Sequence, residues 1–91
     1  MTSELAGSWR VERVSGVLPP LLRKRIGTET GWTALGRLPL APFRVRGGKL
    51  DYVLLPVRDE LVEGEHGEWL GRGLVLGKEF CRFRLVREPD S

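Results

Sequence analysis

Cysteine and histidine occur once each in these 91 residues, and both scarcities close off chemistry. A lone Cys81 cannot form an internal disulfide, so nothing in the sequence speaks for an oxidising compartment. One cysteine and one histidine cannot assemble the usual zinc ligand set within one chain. No apolar run approaches the ~20 residues that span a bilayer, and Met1-Thr2-Ser3-Glu4-Leu5-Ala6 lacks the basic region and apolar run of a secretory signal. The expectation is a cytoplasmic protein with no membrane span, no metal and no cofactor.

Long helices are excluded as well. Glycine and proline interrupt the chain at Gly16, Pro19-Pro20, Gly27, Gly31, Gly36, Pro39, Pro42, Gly47-Gly48, Pro56, Gly64, Gly67 and Gly77, leaving strand-sized segments. With 41% hydrophobic and 30% charged residues, the composition is that of one folded domain spanning 1–91, with disorder expected only at 1–4 and 88–91. Residues 1–50 carry nine Lys or Arg against three acids and residues 51–91 six against nine. Opposite charges therefore meet on a solvated surface once the chain folds up, or the two patches favour self-association as a dimer.

Two hairpins stand out. Pro42–Arg46 and Lys49–Leu55 flank Gly47-Gly48, a pair that supplies the positive φ angles of a tight turn. Phe43 and Val45 share one face opposite Arg44 and Arg46, while Leu50, Tyr52 and Leu54 share another. Glu68–Leu76 and Glu79–Arg87 flank Gly77-Lys78, with Cys81, Phe83 and Leu85 facing away from Arg82 and Arg84. Gly71 and Gly73 clear one face for sharp coiling or for an aromatic ring. Further strands are expected at Ser8–Val14, with Trp9 and Val11 inward, at 32–38 ending near Pro39, and at 57–63 as an edge strand. Leu18–Ile26 allows either one or two helical turns, with Arg23, Lys24 and Arg25 in water, or an irregular loop. The fold class is all-β: a small antiparallel barrel or strongly curved sheet of about six to eight strands, with a roll or sandwich as the alternative.

The opening Gly7-Ser8-Trp9, followed by strand formers and a Leu/Pro loop, resembles the Gly-x-Trp start of lipocalins and related calycin barrels. The resemblance implies an up-and-down barrel in which the tryptophan plugs one end and an arginine of the final strand, here Arg82, Arg84 or Arg87, packs over its indole. Leu50-Asp51-Tyr52 is similar to the family's Asp-Tyr element. The chain is much shorter than a lipocalin, so the implied barrel is pared down, partly open or completed by a second subunit.

Catalytic constellations are sparse. His66 reads as an exposed turn residue, and Cys81, in phase with Phe83, as a buried inert thiol. Asp59, Glu60, Glu63, Glu65 and Glu68 read as a solvated edge and turn. Neither glycine pair matches a phosphate loop. Basic clusters at Arg23-Lys24-Arg25 and Arg44/Arg46 lack exposed aromatic stacking partners on their own face, which makes nucleic acid an unfavoured partner. What remains is a curved wall lined by Trp9, Val11, Trp32, Leu35, Phe43, Val45, Tyr52, Leu54, Trp69, Leu74, Phe83 and Leu85. The leading expectation is a cavity for a small hydrophobic molecule bounded by Trp9, Trp32, Phe43, Tyr52, Trp69 and Phe83, with Tyr52 and Arg82 or Arg84 as polar anchors. The same residues could simply fill the core. A small enzyme of the cyclase or isomerase type and a structural or oligomerisation module are the alternatives.

Overall fold

Alternation of inward apolar and outward polar residues along short segments produces eight antiparallel strands that close into a barrel. A computed structural model describes residues 5–88. The strands are β1 (Gly7–Gly16), β2 (Leu22–Ile26), β3 (Thr30–Leu35), β4 (Leu38–Arg46), β5 (Lys49–Tyr52), β6 (Val57–Glu63), β7 (Trp69–Val75) and β8 (Lys78–Arg87). Each pairs with its neighbour in sequence, and β1 closes on β8 with Trp9 opposite Arg87 and Gly16 opposite Cys81. Closure leaves no unpaired edge strand among the described residues, so β6, expected at an edge, is paired on both sides.

Both expected hairpins are present; the first turns at Gly47-Gly48, and the second at Leu76-Gly77, one residue before the expected Gly77-Lys78, so that Lys78 begins β8. There is no helical turn at 19–26. Residues 22–26 form β2, with Leu22, Lys24 and Ile26 buried and Arg23 and Arg25 exposed, which is the period of a strand. The expectation that Lys24 lies in water fails with it, because the inward phase of this strand carries Lys24 into the barrel. Of the terminal segments expected to be disordered, 1–4 and 89–91 lie outside the described residues. Glu88 is described: its N–H donates to the Ser8 carbonyl at 3.0 Å, and its carboxylate pairs with Arg23 at 3.0 Å.

The up-and-down course puts the connections β2–β3, β4–β5 and β6–β7 at one end and the other four at the opposite end. The first end is packed solid. Trp9 is fully buried there, its Nε1 donating to the Leu5 carbonyl at 2.8 Å. The Arg87 guanidinium lies 4.2 Å from the centre of the indole, a favourable stack of a cation on an electron-rich ring. Leu5, Ile26, Phe43, Leu50, Leu61, Phe83 and Leu85 complete this core. On β7 the inward positions Gly71 and Gly73 hold no side chain, and neighbours on β8 occupy the space. A Cβ on Gly71 would lie 2.5 Å from the Phe83 ring.

The sequence halves meet across the surface. Arg23 of β2 holds Glu88 at 3.0 Å, and Arg84 of β8 holds Glu12 of β1 at 2.9 Å. These exposed pairs are screened by solvent and add little to stability.

Candidate functional site

At the end away from Trp9 the barrel interior is not filled. A cavity of about 290 Å³ is lined from every strand except β7. Its wall is apolar, from Val11, Leu18, Leu22, Ala41, Leu55, Val57, Phe80 and Phe83, and Lys24, Thr33, Tyr52 and Asp59 also line it.

These four polar residues come from four strands and form one cluster. The Lys24 ammonium lies 2.9 Å from Asp59 Oδ2 and donates to Thr33 Oγ1 and Tyr52 Oη at 2.7 Å each. The Tyr52 hydroxyl donates to Asp59 Oδ2 at 2.9 Å, and Thr33 Oγ1 lies 2.6 Å from Tyr52 Oη. Lys24 and Asp59 are 5% and 3% exposed, so this is a buried ion pair of net charge zero. The rings of Phe43, Tyr52 and Phe83 stand with their centres 5.4–5.8 Å from the ammonium, and attraction to their faces offsets part of its lost hydration.

Ammonium has three donors and a hydroxyl one. Lys24 uses all three of its own, and Tyr52 gives its single proton to Asp59. The short Thr33–Tyr52 contact is therefore a bond donated by Thr33. All donors of the cluster are taken, while acceptor capacity remains on the carboxylate of Asp59 and on Thr33 Oγ1.

Burial pushes the Lys24 ammonium toward neutrality, yet the Asp59 carboxylate and the Tyr52 oxygen outweigh it, and the net shift is upward. Burial raises Tyr52 above the ordinary phenol value, against the pull of Lys24. The cluster is thus a charged lysine and a protonated tyrosine, which makes it a hydrogen-bonding floor and not a source of an amine nucleophile or a phenolate base.

Comparison of the chain with protein-family models, with curated proteins and with solved structures finds no match.

The expected site residues divide between the two sides of the barrel wall. Tyr52 and Phe83 line the cavity. Phe43 packs edge-on against Tyr52 with ring centres 5.5 Å apart. Trp9 is the plug at the opposite end, and Trp69 packs against that core. Trp32 is 42% exposed on the outer wall. Arg82 and Arg84 also face outward, bound to Glu79 and Glu12, so neither reaches the interior. Leu54, expected in the lining, is 75% exposed in the β5–β6 connection, and Leu35 is 38% exposed. Cys81 is buried against Gly73, and burial raises its thiol pKa. His66 is exposed in the β6–β7 connection.

Lys24, Thr33 and Asp59 were not expected in the site. Asp59 reads in the sequence as part of a solvated acidic edge, but it stands on β6 between the inward Val57 and Leu61. The available signal was phase: Leu22-Arg-Lys-Arg-Ile26 and Val57-Arg-Asp-Glu-Leu61 each carry one opposite charge at an inward position.

Two larger hollows, of about 630 and 470 Å³, are lined mainly by outward residues, the first also by Tyr52, Leu55 and Val57 of the cavity and the second by Gly71 and Phe83. Much of their charge is already paired, Arg46 and Arg58 with Asp51 and Arg72 with Glu60, and neither reaches the buried cluster's ion pair.

Proposed function

We infer that this chain is a minimal lipocalin-like carrier of a small, uncharged, largely apolar molecule bearing one hydroxyl. The observation that carries this reading is the cavity of about 290 Å³ floored by a charge-neutral cluster with no free donor. An apolar cavity of ~150 Å³ holds a benzene-sized molecule, so the space here suits a ligand of roughly a dozen non-hydrogen atoms. A carboxylate would be buried beside Asp59, and a ketone would find no donor. A hydroxyl can give its proton to Thr33 Oγ1 or Asp59 while its hydrocarbon body lies against Leu22, Ala41, Val57 and Phe80. Trp9 beneath Arg87 supports the lipocalin likeness, since it supplies both the plug and the stacked arginine that the resemblance implied.

Native mass spectrometry of the protein taken from cells tests the reading. An adduct of one small apolar molecule per chain, lost on organic extraction and regained on refilling, is the expected result. A chain that carries no adduct and takes up no alcohol contradicts it.

The isomerase reading needs an accessible base. It gains ground only if Asp59→Asn abolishes a measurable turnover while leaving ligand uptake intact.

A further inference from the structure

The two ends of the barrel differ in a way that the cavity alone does not require. Connections at the plugged end, residues 27–29, 47–48 and 64–68, contain Glu29, Glu65 and Glu68 and no large apolar residue. Connections at the open end, residues 17–21, 36–37, 53–56 and 76–77, contain no carboxylate. They and the adjoining strand ends instead expose Val17, Leu21, Leu38, Leu40, Leu54 and Leu76, at 56–79% of their surface. The exposed apolar residues Val14, Trp32, Val62 and Leu70 are scattered over the outer wall.

Leu21 and Leu76 have φ angles of 63° and 51°. A leucine in this left-handed region meets its own carbonyl oxygen, and glycine is the residue normally found there. These two leucines are 76% and 79% exposed, so neither gains core packing in return. Hydrogen bonds hold their backbones in place: the Leu21 carbonyl accepts from Gly36 N–H at 2.9 Å, and Leu76 N–H donates to Pro56 at 3.0 Å. The rim thus consists of two tied pairs of loops that present strained, solvent-facing leucines around the cavity mouth.

We propose that this rim docks on an anionic lipid bilayer, with the leucines entering the headgroup boundary and Arg37 and Lys78 facing lipid phosphates. Arg37 lies in the β3–β4 connection and Lys78 at the first position of β8. Apolar loop tips backed by Arg37 and Lys78 match the charge of such a surface, since the carboxylate next to Lys78, that of Glu79, is already bound by Arg82 at 3.1 Å and Arg72 at 3.7 Å. A second copy meeting rim to rim would bring the same cations together, while Glu79 is already held by Arg72 and Arg82 of its own chain. The docking stands independently of what fills the cavity.

Flotation with vesicles of phosphatidylcholine alone, and of phosphatidylcholine mixed with phosphatidylglycerol, tests it. The chain floats with the mixed vesicles and less with the neutral ones. The double variant Leu21→Gly/Leu76→Gly relieves the left-handed strain, so it melts no lower than the parent while its partitioning falls at least about tenfold. Arg37→Gln and Lys78→Gln each lower binding to mixed vesicles by about fivefold. Leu54→Trp in the β5–β6 connection gives a blue-shifted indole on mixed vesicles, and Leu54→Ser, which leaves both left-handed positions untouched, carries the test if the glycine variant fails to fold. The proposal is overturned if the parent does not float, or if the rim variants float as well as it does. It is equally overturned if light scattering shows a dimer that the rim variants disperse, since a second copy then owns the surface.

Discussion

Lys24 and Asp59 satisfy each other, and removing either strands a charge inside the barrel. Lys24→Met and Asp59→Leu alone are each expected to cost about 3–5 kcal/mol in urea unfolding. The double variant, which leaves an apolar interior, costs far less than their sum. Equal, additive losses would show that the pair is not coupled. The shifts also set the behaviour with pH. Lys24 is raised in the folded state, so its stabilising effect is whole below the unfolded value of about 10.4 and is lost as pH climbs through the folded value. Tyr52 is raised too, so above the unfolded phenol value of about 10 the unfolded state releases its proton first. Both effects have the same sign: stability falls as pH rises above ~10. Because Tyr52 is the only tyrosine, absorbance of tyrosinate reports it alone, and its ionisation is expected to coincide with unfolding. Tyrosinate formed in a chain still folded, at or below the ordinary phenol value, contradicts the buried arrangement.

Among the elements, β7 depends on having no side chain where β8 fills the barrel. Gly71→Ala places a methyl group 2.5 Å from the Phe83 ring and 2.7 Å from Leu61, an overpacking expected to cost about 1–3 kcal/mol in thermal or urea unfolding. Phe83→Leu in the same chain should recover part of that loss, and an undiminished melting temperature for Gly71→Ala alone would refute the packing. This device was legible beforehand, since two glycines in phase on one strand announce an absent face. So were the two hairpins, because glycine turns and alternating side chains fix register locally. β2 was not legible as a strand. Pro19-Pro20 ahead of Leu22 and Ile26 four apart mimics a helix start, and three consecutive cations read as solvated. What decides for a strand is the partner for Lys24, which lies 35 residues away at Asp59 and leaves no local mark. The left-handed leucines were equally hidden, because glycine, the residue that signals positive φ, is missing at both.

For the whole molecule, closure of β1 on β8 turns a meander into a container whose plugged half is packed and whose open half holds the cavity. The plug was readable from Gly7-Ser8-Trp9 and the arginine-rich last strand, where Arg87, one of the three candidates Arg82, Arg84 and Arg87, is the one that stacks. The interior floor was not readable: outward arginines were expected as anchors because charge was assumed to belong outside or at a ligand, whereas the interior holds its own neutral pair. A floor with spare acceptors and no spare donor discriminates by head group. Chemical-shift titration of the chain with nonanol, nonanone and nonanoate, equal in chain length, tests that property. Nonanol is expected to move the amide resonances of Thr33, Tyr52, Asp59 and Phe83 at the lowest concentration, nonanone at a higher one and nonanoate least. Equal response to all three, or shifts confined to the outer wall, would contradict a hydroxyl-selecting cavity.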